Sequence, residues 1–202
     1  MTGTGDKSGA AINDRALMAD WVRRAKKGDL GSFQRLYDRF ARRVLNFIYR
    51  MVNSVEEAED LTQETFVAVY QKLGTLKEDD RFEAWLFRIA RNFVYQKYRA
   101  RTPNTVSTEE LDEDGQPVIQ VPDARKGPGE SLEARELEDI VEGAIGSLPD
   151  KYREVFVLSA IQHLSYQEIA DIVGRSLASV KTDIHRARLA VRKQVKDYLQ
   201  VW

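Results

Sequence analysis

Apolar residues recur along this chain at steps of three and four. Phe33, Leu36, Tyr37, Phe40, Val44, Phe47, Ile48 and Met51 make one stripe, which predicts an amphipathic helix. Ser54, Val55, Glu56 and Glu57 then read as a capping box, the Ser54 hydroxyl satisfying early backbone N–H groups. The helix it opens carries Ala58, Leu61, Phe66, Val69, Tyr70 and Leu73 on its inner side, and Gly74 stands where a left-handed residue commonly ends a helix. A third helix holds Phe82, Trp85, Leu86, Ile89, Ala90 and Phe93. Its other face, Arg88, Asn92, Tyr95 and Arg99, is polar, aromatic and basic. With a weaker helix near Arg15 to Lys27, these segments predict a compact helical domain.

From Thr102 to Gly129 the pattern fades. Four prolines, several acids and little periodicity predict an extended, mobile linker, or a segment that folds on a partner. Four shorter helical patterns follow: Leu132 to Ile145, Pro149 to Ile161, Ser165 to Val173 and Leu177 to Tyr198. Proline in the first turn, in Ser147 to Asp150, suits a helix start because no N–H is missed there. The expected architecture is all-α. Two small helical domains, residues 1–102 and 132–202, are joined by a flexible acidic linker at 103–131.

The last two patterns meet at an informative turn. Ser165, Tyr166, Gln167 and Glu168 form a second capping box, and Ala170 precedes Gly174 by four residues while Val180 follows it by six. A helix-turn-helix needs those three things: a small residue where its helices touch, a glycine for a left-handed turn, and a branched apolar residue packing back. Ser176 can cap the second helix. Its exposed face offers Ser179, Lys181, Thr182, His185, Arg186 and Arg188, with Arg175 in the turn. Side chains near the start of such a helix read base edges in the major groove, and Lys and Arg farther along hold phosphates.

Charge alters the picture only through its distribution. The formal net charge is −1. Yet Arg81 to Arg101 holds six Lys or Arg against the single acid Glu83, while Asn104 to Glu130 holds seven acids against Arg125 and Lys126. Basic contact surfaces joined by an acidic strap are expected. With no cysteine, disulfides, Cys-based zinc and thiol chemistry are excluded. No apolar run approaches a membrane span, and the polar start from Met1 to Ala10 is unlike a signal peptide, so a cytoplasmic address is expected. His163 and His185 are far apart, with no metal spacing, phosphate loop or nucleophile elbow. No enzyme activity, cofactor, metal or small-molecule substrate is expected.

Three stretches, Ala58 to Phe66 (AEDLTQETF), Phe82 to Asn92 (FEAWLFRIARN) and Leu148 to Glu154 (LPDKYRE) running into the helix-turn-helix, resemble the extracytoplasmic-function (ECF) sigma factors, the minimal bacterial sigma class. The resemblance spans about Leu30 to Tyr198. It implies a sigma region 2 up to about Arg101 and a region 4 after about Glu133, with no region 3. It further implies core RNA polymerase (β′ clamp and β flap), promoter DNA and an anti-sigma factor as partners. Asp60, Leu61, Gln63 and Glu64 match the clamp-docking stretch. The segment from Arg88, with the loop before it, matches the part that melts the −10 element. There a basic groove with aromatic faces would catch the opened strand, through Arg88, Arg91, Asn92, Tyr95, Lys97, Arg99 and Arg101. Trp85 falls on the apolar stripe and reads as core, with Phe87 open between core and base stacking. Region 4 would read the −35 element. Two positions depart from the family: Gln96 stands where an Asp is usual, and Asp183 where a basic residue is common. Asp183 would weaken a phosphate contact, or accept from a cytosine amino group. The competing reading is a conventional helix-turn-helix regulator, which would need a ligand pocket or dimer surface in residues 1–100.

Overall fold

A computed structural model describes the backbone of residues 6–101 and 132–199 and, within them, the side chains of residues 14–100, 136–137 and 139–196. The linker expected at 103–131 and the side chain of Arg101 lie outside the described residues. Every regular element among the described residues is helical. They divide into two compact units, residues 6–49 with 54–97, and residues 50–53 with 98–101 and 132–199.

The first unit is built on α1 (Asp6–Ala25), α2 (Leu30–Val52), α3 (Val55–Lys72) and α4 (Phe82–Arg101). Asp29 starts α2, its carboxylate accepting from the Ser32 N–H at 3.2 Å and the Ser32 hydroxyl at 2.9 Å. Ser54 starts α3 as expected, accepting from the Glu57 N–H at 3.3 Å. The stripe on α2 is sealed: Leu36, Phe40, Val44, Phe47 and Ile48 are fully buried. Phe40 meets Phe82 and Phe47 meets Phe87 edge to face, with centroids 5.5 and 5.7 Å apart. Each such ring contributes about 1.5–3 kcal/mol through burial alone. Buried polar side chains in this unit are hydroxyls, and Thr62 and Thr65 donate to their own helix at Ala58 and Leu61 carbonyls.

Gly74 does not take the left-handed turn expected of it. The chain instead tightens into a 3₁₀ turn at Leu73–Thr75, closed by the Leu76 N–H on the Leu73 carbonyl at 3.2 Å. Left-handed glycines among the described residues are Gly28, in the α1–α2 connection, and Gly174. The loop between α3 and α4 is pinned to α1. Lys26 donates to the Leu76 carbonyl and the Asp79 carboxylate, both at 2.5 Å, and Arg23 and Arg15 approach Asp79 and Asp80 at 3.7 and 3.6 Å.

The second unit comprises α5 (Leu132–Gly146), α6 (Asp150–Phe156), α7 (Tyr166–Val173) and α8 (Leu177–Leu199). Pro149 stands immediately before α6. That helix runs on into a π turn at Val157–Ile161, and His163, at φ +59, reverses the chain after it. Val155, Val157, Leu158, Ile169, Ala170, Val180, Ile184 and Ala187 close the core beneath α7 and α8.

Candidate nucleic-acid interface

The capping box at Ser165 is complete: the Ser165 hydroxyl accepts from the Glu168 N–H, and the Glu168 carboxylate accepts from the Ser165 N–H at 2.9 Å. Helix α7 ends at Gly174, whose φ of +69 lets both its own N–H and that of Arg175 return to the Ala170 carbonyl. No Cβ is needed there to fill space, so the glycine is present for its backbone. Ala170 and Val180 are buried at the crossing of α7 and α8. A short helix and a long one, set by a left-handed turn and a small contact residue, form the helix-turn-helix that the spacing predicts.

Helix α8 starts where Ser176 accepts from the Ser179 N–H at 3.2 Å, so that hydroxyl is engaged in capping. Lys181, Thr182 and His185 are exposed on one face, and Arg186 and Arg188 are exposed on its flanks. Ser179 is half-buried. Arg186 donates to the Tyr152 hydroxyl at 3.3 Å, which raises the guanidinium's already high pKa, and Arg188 donates to the Ser159 hydroxyl at 3.3 Å. These bonds aim two long side chains that would otherwise sweep wide arcs.

Two residues fall elsewhere than expected. Asp183 does not reach outward; it is buried on the inner side of α8, away from the exposed face where a phosphate or a cytosine would be met. Arg175, expected to face DNA from the turn, points inward to it, Nη1 to Oδ2 at 2.6 Å, with its side chain three-quarters buried. A carboxylate on an inward helical position draws the nearest cation to itself, because an unpaired buried charge is costly.

On α4, Arg88, Asn92 and Arg99 are exposed and Arg91 and Tyr95 half-buried, all on one side of the helix. The Arg91 guanidinium lies over the Tyr95 ring, 4.3 Å from its centroid. Lys97 is not on this stripe. It lies nine residues past Arg88, roughly two and a half turns on, and its ammonium is 4.0 Å from Glu57 of α3. Phe87, left open between core and stacking, is fully buried, whereas Trp85, expected in the core, is only half-buried and tilted over Phe82.

On α3, Asp60, Gln63 and Glu64 are exposed, but Leu61 is buried as a core leucine and does not share their face. Two shallow grooves flank these residues, one reaching Phe93 and the other reaching Phe33, Tyr37 and Phe66. Val67 lines both grooves and Tyr70 the second, each more than half exposed. Tyr70, expected on the inner side, packs edge-on against Phe33 at 5.0 Å and leaves its other edge in solvent.

Residues 36–103 match Sigma-70 region 2 and residues 138–191 match Sigma-70 region 4. The ECF RNA polymerase sigma factor SigW of Bacillus subtilis is 34% identical over 178 residues, covering 87% of this chain and 95% of SigW. This chain belongs to the ECF sigma factors. The RNA polymerase sigma-H factor of Pseudomonas aeruginosa is 30% identical over 182 residues, 89% of this chain and 94% of its own. The solved structure of CnrH in complex with the cytosolic domain of CnrY aligns with a TM-score of 0.65 at 25% identity, covering 90% of this chain and 98% of CnrH.

ECF sigma factors are transcription initiation factors. In this one, sequence reasoning placed Tyr37 and Tyr70 on inner stripes and left Val67 unassigned, although all three are exposed. Their signal is positional: Val67 follows Gln63 and Glu64 by one turn, on the same side of α3. No helix described is long and apolar enough to cross a membrane, and no described cluster of His, Asp or Glu could hold a metal ion.

Proposed function

We propose that this sigma factor reads the −35 element as duplex through α8, docks on the polymerase clamp through α3, and holds the opened −10 strand along α4. On this reading, residues 1–102 act as region 2, residues 103–131 as the connection and residues 132–202 as region 4. The observation that carries it is the helix-turn-helix. Lys181, Thr182 and His185 stand outward from a helix whose other side is sealed by Val180, Ile184 and Ala187. Such a helix fits the major groove end-on, with lysine, threonine and histidine able to meet base edges and phosphates.

For region 2, Asp60, Gln63 and Glu64 beside exposed Val67 and Tyr70 give an amphipathic docking face. Arg88, Arg91, Asn92, Tyr95 and Arg99 combine positive charge with an aromatic plane, as capture of an unpaired strand requires. The chain itself carries out no catalytic step; polymerase supplies the chemistry, in the cytoplasm. An anti-sigma factor holding both regions inactive is the regulation this implies, and the CnrH structure contains the cytosolic domain of CnrY.

Run-off transcription with core polymerase tests the proposal. Adding the chain should yield a promoter-specific transcript from a template carrying its own upstream region, and promoter binding should be strong only with polymerase. A footprint by the chain alone, with no transcript on any candidate template, would instead favour a conventional regulator.

A further inference from the structure

Among the described residues, the buried acids are Glu154 and Asp183, and both belong to the second unit. One cation lies between them. Arg175 places Nη1 2.6 Å from Asp183 Oδ2 and Nη2 3.9 Å from Glu154 Oε2. The two carboxylate side chains are 4% and 1% exposed, against 25% for the arginine. Lys151 reaches the other Asp183 oxygen at 3.7 Å, but from solvent, being 57% exposed. Nη2 of Arg175 is buried without a hydrogen-bond partner, held there by charge alone. A planar fork can satisfy two acids at once where an ammonium serves only one.

These groups come from three different elements. Glu154 lies on α6, Arg175 in the turn, and Asp183 on α8, one turn beyond Val180. Arg175 is also held by its backbone, its N–H donating to the Ala170 carbonyl of α7 at 3.2 Å. Its main chain is therefore fixed by one helix and its side chain by two others.

We propose that Arg175 is a positioning residue for −35 reading: drawn inward by Asp183 and Glu154, it sets the angle of α8 and makes no contact with DNA. This rests on the reading of α8 given above and deepens it. The base-reading side chains Lys181, Thr182 and His185 surround Asp183 in sequence, so a rotation that freed Asp183 would turn all three. Removing the arginine takes away the cation between two buried carboxylates, and a movement of α8 that hydrates Asp183 becomes favourable.

The test uses the full chain, alone and in holoenzyme. Arg175→Met should raise amide hydrogen exchange across residues 175–183 about tenfold, a quarter-exposed pair being weaker than a fully buried one. In holoenzyme the same variant should lower, about tenfold, the ratio of transcript from a promoter with an intact −35 element to one with it scrambled. The charge swap R175D with D183R returns a cation to Glu154 and should bring both readouts back to within threefold of the parent. If R175M does not accumulate as folded protein, Asp183→Asn carries the same test, with the same direction and a smaller amplitude. Unchanged exchange and ratio in R175M would overturn the proposal. So would a swap that restores exchange but not the ratio, since Arg175 would then be contacting DNA itself. A parent holoenzyme indifferent to the −35 element would instead overturn the reading of α8, while the exchange data still decide whether the tie exists.

Discussion

Behind the exposed stripe of α4, the packing is hydrocarbon and aromatic: Phe82, Leu86, Phe87, Ala90 and Val94 are fully buried. Behind α8, the same kind of packing at Val180, Ile184 and Ala187 is interrupted by Asp183 and its arginine. The first unit keeps its ion pairs at the edge, where Lys26, Arg23 and Arg15 pin the loop before α4; the Arg15 pair is about half exposed and the Lys26 pair part-buried, and neither encloses its acid as Asp183 is enclosed. The second keeps one inside. Edge pairs are screened by salt and individually weak. An interior pair resists salt, yet it demands that all its members be present. One working face therefore rests on shape, and the other on shape plus a charge balance.

The largest test of this contrast is Phe47→Ala. Truncating a fully buried ring paired edge-on with Phe87 should cost about 3–5 kcal/mol, a large share of the stability of a marginally stable protein. Urea denaturation followed by tryptophan fluorescence measures it, and core polymerase binding should fall with it. Next comes Gly174→Ala. The left-handed backbone at φ +69 would then carry a Cβ, at about 1–2 kcal/mol. Thermal denaturation should show that loss, and −35 discrimination should weaken while core binding stays intact.

Lys26→Met is smaller, about 1 kcal/mol at low salt, since the ammonium and its Asp79 partner are only part-buried. Permanganate footprinting should show less −10 opening in the variant. High salt should narrow the stability gap between variant and parent, as it should not for Arg175→Met. The smallest effect belongs to Asp29. Hydrogen bonds from Ser32, then Arg24, hold its carboxyl below the ordinary 3.8. A lowered pKa means stability that is present above the unfolded value and lost as pH falls through the folded one. Asp29→Asn should therefore lower the thermal midpoint slightly at pH 7, and that gap should close as pH drops below 3.8.

What could be read from the residues alone is what depends on near neighbours. Ala170, Gly174 and Val180 lie within eleven positions of one another, and the Ser165 box spans four, so spacing was enough to place the helix-turn-helix. The α2 stripe was equally plain because its period is uninterrupted. Local pattern fails where a side chain's direction is settled by a distant partner. Asp183 reads as exposed until Glu154 and Arg175 are seen beside it, and Lys97 reads as part of a basic stripe until α3 presents Glu57. Trp85 and Phe87 differ by two positions on the rim of one stripe, and the distant ring of Phe47 meets the one that goes in. Leu61 was drawn into the docking set with the acids around it, although a leucine there belongs to the core.

The central claim is that one chain holds duplex and opened strand with different helices. Site-specific photocrosslinking from positions 181 and 95, in a complex of holoenzyme with promoter DNA, tests it most directly. The expected result is that Lys181→p-benzoylphenylalanine attaches to duplex at the −35 element and Tyr95→p-benzoylphenylalanine to the non-template strand near −10. Crosslinks from both positions to the same element, or from neither to promoter DNA, would contradict it.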